Sequence, residues 1–285
     1  KPLSKLMRRA FVILLGFLWL IDSSVASADE LPLWEAGFGV TCLSMPDYRG
    51  SDAQRGYVFP MPYVVYRGEI LRWDRKGIYG LLFESDRVQL NINADASVPV
   101  KSSRNDARAG MRDLDGTIQI GPSLEICLLK NCEADSIVQV RLPVRAVIAT
   151  DFSRVYSAGF VVNPQLNFDF TNRGPGGGWN FGFALGPLYA TERYHDFYYE
   201  VSPNDELPGI RPAYDARGGY SGFVLISALS KRFKHVWFGA FARYDRLDGA
   251  VFEDSPLVKK PYSAMAGFGI AWVFGQSEIL VHASP

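Results

Sequence analysis

The sequence predicts an all-β protein: an antiparallel transmembrane β-barrel preceded by a cleaved signal peptide. Three observations predict it. Residues Arg87 to Val98 alternate polar and apolar without a break, with Arg87, Gln89, Asn91, Asn93, Asp95 and Ser97 on one side and Val88, Leu90, Ile92, Ala94, Ala96 and Val98 on the other. A strand turns successive side chains to opposite faces, so this segment has one wet and one apolar face. The same alternation recurs down the chain, and the whole series lies behind an export leader, the combination expected of a barrel whose apolar side meets lipid.

The leader is read from residues 1–28. A basic stretch, Lys1 to Arg9, runs into the apolar segment Ala10 to Ile21 and then into Ala26-Ser27-Ala28, a small-residue cleavage signal. The apolar run is shorter than the roughly 20 residues a spanning helix needs. Residues 29–274 then form the barrel and 275–285 a C-terminal tail, with the cell outer membrane as the destination.

Ten segments read as strands: Trp34 to Ser44, Tyr57 to Tyr66, Arg87 to Val98, Thr117 to Leu128, Ile137 to Thr150, Phe160 to Thr171, Trp179 to Thr191, Tyr220 to Lys231, Val236 to Arg246 and Tyr262 to Phe274. Long polar connections at 45–56, 99–116, 151–159, 192–219 and 247–261 alternate with short ones at 129–136, 172–178 and 232–235. Long outer loops and short inner turns are the habit of outer-membrane barrels. The stretch between Tyr66 and Arg87 holds either one net turn or an extra hairpin, so an even strand number gives ten or twelve, and ten is favoured. Trp179, Tyr189, Tyr220, Tyr262, Trp272 and Phe274 fall near strand ends on apolar faces, as interfacial aromatic girdles would. A soluble two-sheet sandwich would also alternate, but it would not explain those girdles or the aromatic end of the last strand.

Composition excludes some functions. Lys plus Arg equals Asp plus Glu at 30 each, so no basic field points to nucleic acid. Of the three cysteines, Cys127 and Cys132 would face each other across a tight hairpin, where a disulfide fits, and Cys42 is left over. No His lies near a cysteine in metal-ligand spacing, so neither a metal nor a cofactor is expected. The His195-Asp196 pair is the one local candidate for hydrolytic chemistry, and it reads as a solvated loop pair.

Several loop and strand motifs occur in a fixed order: Pro46-Asp47-Tyr48-Arg49-Gly50-Ser51-Asp52, then Pro60-Met-Pro-Tyr-Val-Val-Tyr-Arg-Gly-Glu69, Gly80-Leu-Leu-Phe-Glu-Ser-Asp-Arg87, Asn105 to Gly116 and Ile120-Gly-Pro-Ser-Leu-Glu125. From about Leu33 to Phe274 this string resembles the MltA-interacting protein (MipA)/OmpV family of Gram-negative outer-membrane proteins. That family is named for a member that bridges a murein lytic transglycosylase and a penicillin-binding protein that synthesises murein. The resemblance implies a non-enzymatic scaffold in cell-wall remodelling. The tail after Phe274 departs from the usual ending.

The wet faces carry the second reading. Arg87, Asp95, Gln119, Glu125, Arg141, Arg145, Arg243 and Asp245 are the candidate lumen residues. They would either fill a small barrel as ion pairs or line a narrow channel for a small polar solute. The loop from Glu192 to Gly219, rich in tyrosine and proline, is either a contact surface or a lid over the mouth.

Overall fold

A computed structural model of the chain describes residues 30–74, 77–129, 136–151, 153–173 and 178–282. The predicted leader, Cys132 and most of the glycine-rich turn at 174–177 lie outside the described residues. The strands are β1 (Glu30–Pro32), β2 (Trp34–Pro46), β3 (Gln54–Arg67), β4 (Leu71–Asp74), β5 (Gly77–Glu84), β6 (Val88–Ser97), β7 (Gly116–Cys127), β8 (Ser136–Thr150), β9 (Val155–Val162), β10 (Gln165–Arg173), β11 (Trp179–Ala190), β12 (Gly219–Arg232), β13 (Val236–Arg246), β14 (Tyr262–Gln276) and β15 (Leu280–His282). One helix, α1 (Glu192–Tyr199), follows β11.

All strands but β1 and β15 join one antiparallel sheet, which closes where β14 pairs with β2 and β8 pairs with β9 and β10. Strands β9 and β10 are one staple in two pieces. Both pair with β8 in the same register, Val144 with Val162 and Arg141 with Gln165, and the break falls at Asn163-Pro164, where proline lacks the donor a ladder needs. Counted so, the barrel has twelve strands.

The favoured count of ten is therefore corrected. The missing pair is the hairpin β4–β5, placed between Tyr66 and Arg87 by the pairs Tyr66–Trp73 and Trp73–Ile78. Its four-residue first strand is too short to show a period-two signal. The predicted long loop at 151–159 is also corrected. The chain turns within 151–154, where the Asp151 carboxylate accepts from the backbone N–H groups of Ser153 and Arg154, and resumes as β9.

Registers sort the two faces. Gln89, Asn91, Asn93, Asp95 and Ser97 pair with Glu125, Ser123, Gly121, Gln119 and Thr117, all on the lumenal side. Ile92, Ile118, Ile120, Phe160, Phe183, Leu225, Phe268 and Ile270 stand exposed on the outside. Aromatic rings form two belts there. Tyr189 and Tyr220 (centroids 5.7 Å apart) and the stacked pair Tyr244–Tyr262 mark the loop end, while Trp34, Trp272 and Phe274 mark the turn end. A sheet closed on itself, with an apolar outer band between aromatic belts, meets lipid on the outside and satisfies its backbone along its paired edges, as strands that cross a bilayer require.

Beyond the turn end, β14 and β2 continue as a two-stranded ribbon. Ser277 N–H donates to Trp34 O and Leu33 N–H to Ile279 O, and β1 then pairs with β15 from Glu30–His282 to Pro32–Leu280. The C-terminal tail is thus folded back on the N-terminal segment.

Candidate functional site

Three regions could act: the capped mouth, the lumen and the terminal ribbon. The mouth is closed by the long loops. Of the buried α1 residues Tyr194, His195 and Tyr199, Tyr199 packs with Tyr48, Val100, Leu114, Leu247, Phe252 and Leu257 in a cap core, and Tyr194 packs on Val147, Val161 and Val224 of the wall. Tyr199 stacks on Phe252 at 3.7 Å with planes 7° apart. Loops at barrel mouths are exposed when they are polar; these bury rings, and that burial is what holds them down.

The Pro46–Asp52 motif is the keystone of this cap. Pro46 ends β2. Asp47 takes two hydrogen bonds from Arg55 (2.5 and 3.0 Å) and one from Asn105 Nδ2 (2.8 Å). Tyr48 donates its hydroxyl to Leu257 O at 2.8 Å. Arg49 Nε meets Asp245 Oδ1 at 2.8 Å, its Nη2 reaches Ser221 O, and its carbonyl accepts from Tyr199. Gly50, at φ 86°, turns its N–H to Ser263 Oγ and its carbonyl to Lys259 and Lys260, and a side chain there would meet Leu247 and the wrong backbone region. Ser51 accepts from Asn105 at 3.1 Å, and Asp52 stays exposed. One loop therefore ties together three others.

His195 is fully buried. Its Nδ1 faces Arg217 O and its Nε2 lies 2.6 Å from Ser221 Oγ. With Nδ1 donating to the carbonyl, Nε2 accepts from the serine. That is the hydrogen-bond order of an activated serine, yet both residues are 0% exposed and a backbone carbonyl, not a carboxylate, orients the ring. The pair pins α1 to β12. Asp196, its predicted partner, points elsewhere, with one carboxylate oxygen buried and unpartnered.

The pH response of the cap follows. Burial, with Arg49 nearby, holds the His195 pKa below 6.5, so the closed cap loses stability as pH falls below about that value. Asp196 opposes it. Burial, with Glu200 and Glu192 beside it, pushes its carboxyl up to about 6, so the closed cap gains stability as pH falls from there. Asp196→Asn should therefore show steeper opening between pH 7.5 and 5 than the native chain, read as hydrogen exchange of α1 amides. Equal slopes would exclude this balance.

The lumen is two-sided. On β6–β10 it is polar. Glu125 accepts from Asn91 and Gln139 (3.1 Å each) and lies 3.4 Å from Arg141, which faces Asp169 at 3.6 Å. Arg145 donates to Asn93 at 2.7 Å. Asp95 and Gln119 pair across β6–β7, above this network. Arg243 and Arg49 share Asp245 at the boundary between lumen and cap. Arg87 does not join them: it stands exposed in the turn before β6. On β2, β3, β13 and β14 the lumenal face is apolar instead, with Phe59, Met61, Tyr63, Trp237 and Ala271, and Tyr63 packs on Trp237 at 5.6 Å. The sequence points to the lumen only through polar residues, and β3, apolar on both faces, shows no alternation to mark its inner side. At the lower rim Glu35 bridges Arg67 and Arg232 (2.8 and 2.9 Å). Cys127 is disulfide-bonded and Cys42 is free. Among the described residues no cluster of His, Cys, Asp or Glu could hold a metal.

The profile of the family described as MltA-interacting protein MipA matches residues 38–274. The MltA-interacting protein of Escherichia coli K12 is 25% identical over 270 residues, 94% of this chain and 100% of that protein. The putative outer membrane protein YiaT of the same organism is 30% identical over 91 residues, 32% of this chain; the match spans only 37% of YiaT's length. Among solved structures, a Pseudomonas aeruginosa FadL homologue aligns with TM-score 0.29 at 7% identity, covering 85% of this chain and 90% of its own. The outer membrane protein OprG from the same species aligns with TM-score 0.23 at 10% identity, covering 89% of this chain and 98% of its own.

Proposed function

The chain belongs to the MltA-interacting protein family of the outer membrane, and from that premise we propose that it is a non-enzymatic scaffold whose periplasmic rim contacts a murein lytic transglycosylase and, through it, a penicillin-binding murein synthase. The observation that carries this reading is the terminal ribbon. The long loops are spent on one another in the cap, and they lie on the outer side by the usual orientation of such barrels. The ribbon β1–β15 lies at the opposite rim; among the described strands none pairs with the outer edge of β15, the outer edge of β1 carries Pro32 with its carbonyl held by Arg67, and Ile279 and Leu280 are exposed. Paired strands with a free edge and apolar side chains can accept a further strand or a complementary face. The fully buried His195–Ser221 pair, which no substrate reaches while the cap is closed, favours the non-enzymatic part of the reading.

The folded barrel should retain a lytic transglycosylase from a detergent extract, and Leu280→Asp with Ile279→Asp should reduce retention without altering the gel shift between unboiled and boiled protein. Retention no better than that of an unrelated barrel would count against the scaffold.

A second reading, a narrow channel or ligand-binding barrel for small polar solutes, is favoured by the polar wall around Glu125 and Arg141. In planar bilayers it predicts discrete conductance steps once the cap is loosened. Their absence from both native and cap-loosened protein would remove the pore.

A further inference from the structure

The barrel wall has a gap. Among the described residues the β4–β5 hairpin pairs with β3 and β6 only toward the turn end. On β3 it pairs with Tyr66 and Arg67, and on β6 it reaches no higher than Asn93. Among the described residues nothing pairs with the free edge of β3 from Gln54 to Val65. That edge lies at bilayer depth. The register carries Val58 to Cys42 and on to Phe268, midway along β14 between the belts at Tyr262 and Phe274.

The chain has prepared this edge. Arg67 N–H donates to Leu33 O, so odd-numbered residues of β3 turn their backbone groups to β2 and even-numbered ones to the gap. Pro60 and Pro62 therefore remove two donors from the open edge alone. Proline at an edge blocks a further strand, so another chain is not the occupant. Unpaired backbone at membrane depth persists only where it is buried in protein or lines a cavity. Above the gap the loops form a lintel: Arg55 reaches Arg104 O at 2.5 Å, and Asn105 reaches Asp47.

The two jambs differ chemically. On β3 the lumenal side presents Tyr57 stacked with Phe59 (5.5 Å), then Met61. On β6 it presents Asn93 and Asp95, with the Arg145 guanidinium beside them. Phe59 is 38% exposed although it faces inward, and Asp95 is exposed too, as residues on an opening are.

We infer that this gap is a lateral portal through which a single-chain zwitterionic amphiphile passes between the outer leaflet and the lumen, its chain against Phe59 and Met61 and its head between Asp95 and Arg145. The anionic and cationic side chains match the ammonium and phosphate of such a head, and the aromatic jamb matches its tail. The inference is independent of any periplasmic partner.

The test uses the full barrel in phosphatidylcholine vesicles with lysophosphatidylcholine carrying a photoreactive group in its acyl chain, and adducts are mapped by mass spectrometry. Adducts on inward-facing Phe59 and Met61 are expected, along with outward Val58. Adducts confined to outward residues such as Val58, Phe268 and Ile270 would overturn the portal. Ala96→Trp, on the outward rim of β6, should abolish the inward adducts and leave those on Val58, in protein that keeps its gel shift. Persistence of inward adducts in that variant would overturn the lateral route. A fatty-acid probe of the same chain length should label Phe59 less; equal labelling would overturn the zwitterionic head.

Discussion

Replacing Asp245 by alanine is expected to destabilise the closed cap by about 3–5 kcal/mol, the cost of removing one partner from a buried ion pair. Asp245 is the single carboxylate between Arg49 on the motif loop and Arg243 on β13, at 2.8 Å from each, and its side chain is 3% exposed. Without it two partly buried guanidiniums face each other with no carboxylate between them, and the Arg49 guanidinium, one of whose terminal nitrogens already lacks a partner, keeps only its bond to Ser221 O. The barrel wall below does not depend on this contact, so the gel shift should persist while α1 and loop 247–261 exchange their amide hydrogens much faster. A loss of under about 1 kcal/mol would place the triad with ordinary surface pairs.

Phe252→Ala should act on the same cap by a different cause. The ring is 0% exposed, stacked on Tyr199 and 4.8 Å from the His195 ring. Truncation leaves a cavity that a stacked partner cannot fill, and about 3–5 kcal/mol is the usual cost. The readout is the rate of proteolytic cleavage within 200–218, with Phe252→Leu giving a smaller increase. An unchanged rate would show that the loops are held by their polar contacts alone. The two substitutions should not add. Tyr199 donates to the Arg49 carbonyl, so the ring stack and the ion pair share one loop, and the double variant should lose less than the sum.

The wall was largely legible in the sequence because a half-lipid, half-water sheet imposes period two on every strand it contains. Val88 to Ser97 and Val236 to Arg246 were found almost to the residue for that reason. What departs from this pattern has separate local causes. β4 is too short to display a period, β9 begins in a stretch whose Asp151 turn reads as loop, and β3 is apolar on both sides. The motif Pro46–Asp52 was visible as a string, but its work was not, since its partners Asn105, Tyr199, Ser221 and Asp245 are scattered through the chain. Pro60-Met-Pro62 held the one sequence sign of the open edge: two prolines two apart strip donors from one side of a strand.

By itself the sequence determined the barrel class and the alternation that gives most strands a polar and an apolar face. Both are read from residue order within each strand, a local property. Only the tertiary structure decided that twelve strands make the wall, that the long loops bury their rings as a cap, that residues 30–32 pair with 280–282 as a ribbon and that, among the described residues, the upper edge of β3 has no strand beside it. Each depends on which distant segments meet. Pairing partners are chosen by closure of the whole sheet, a constraint that no single segment carries.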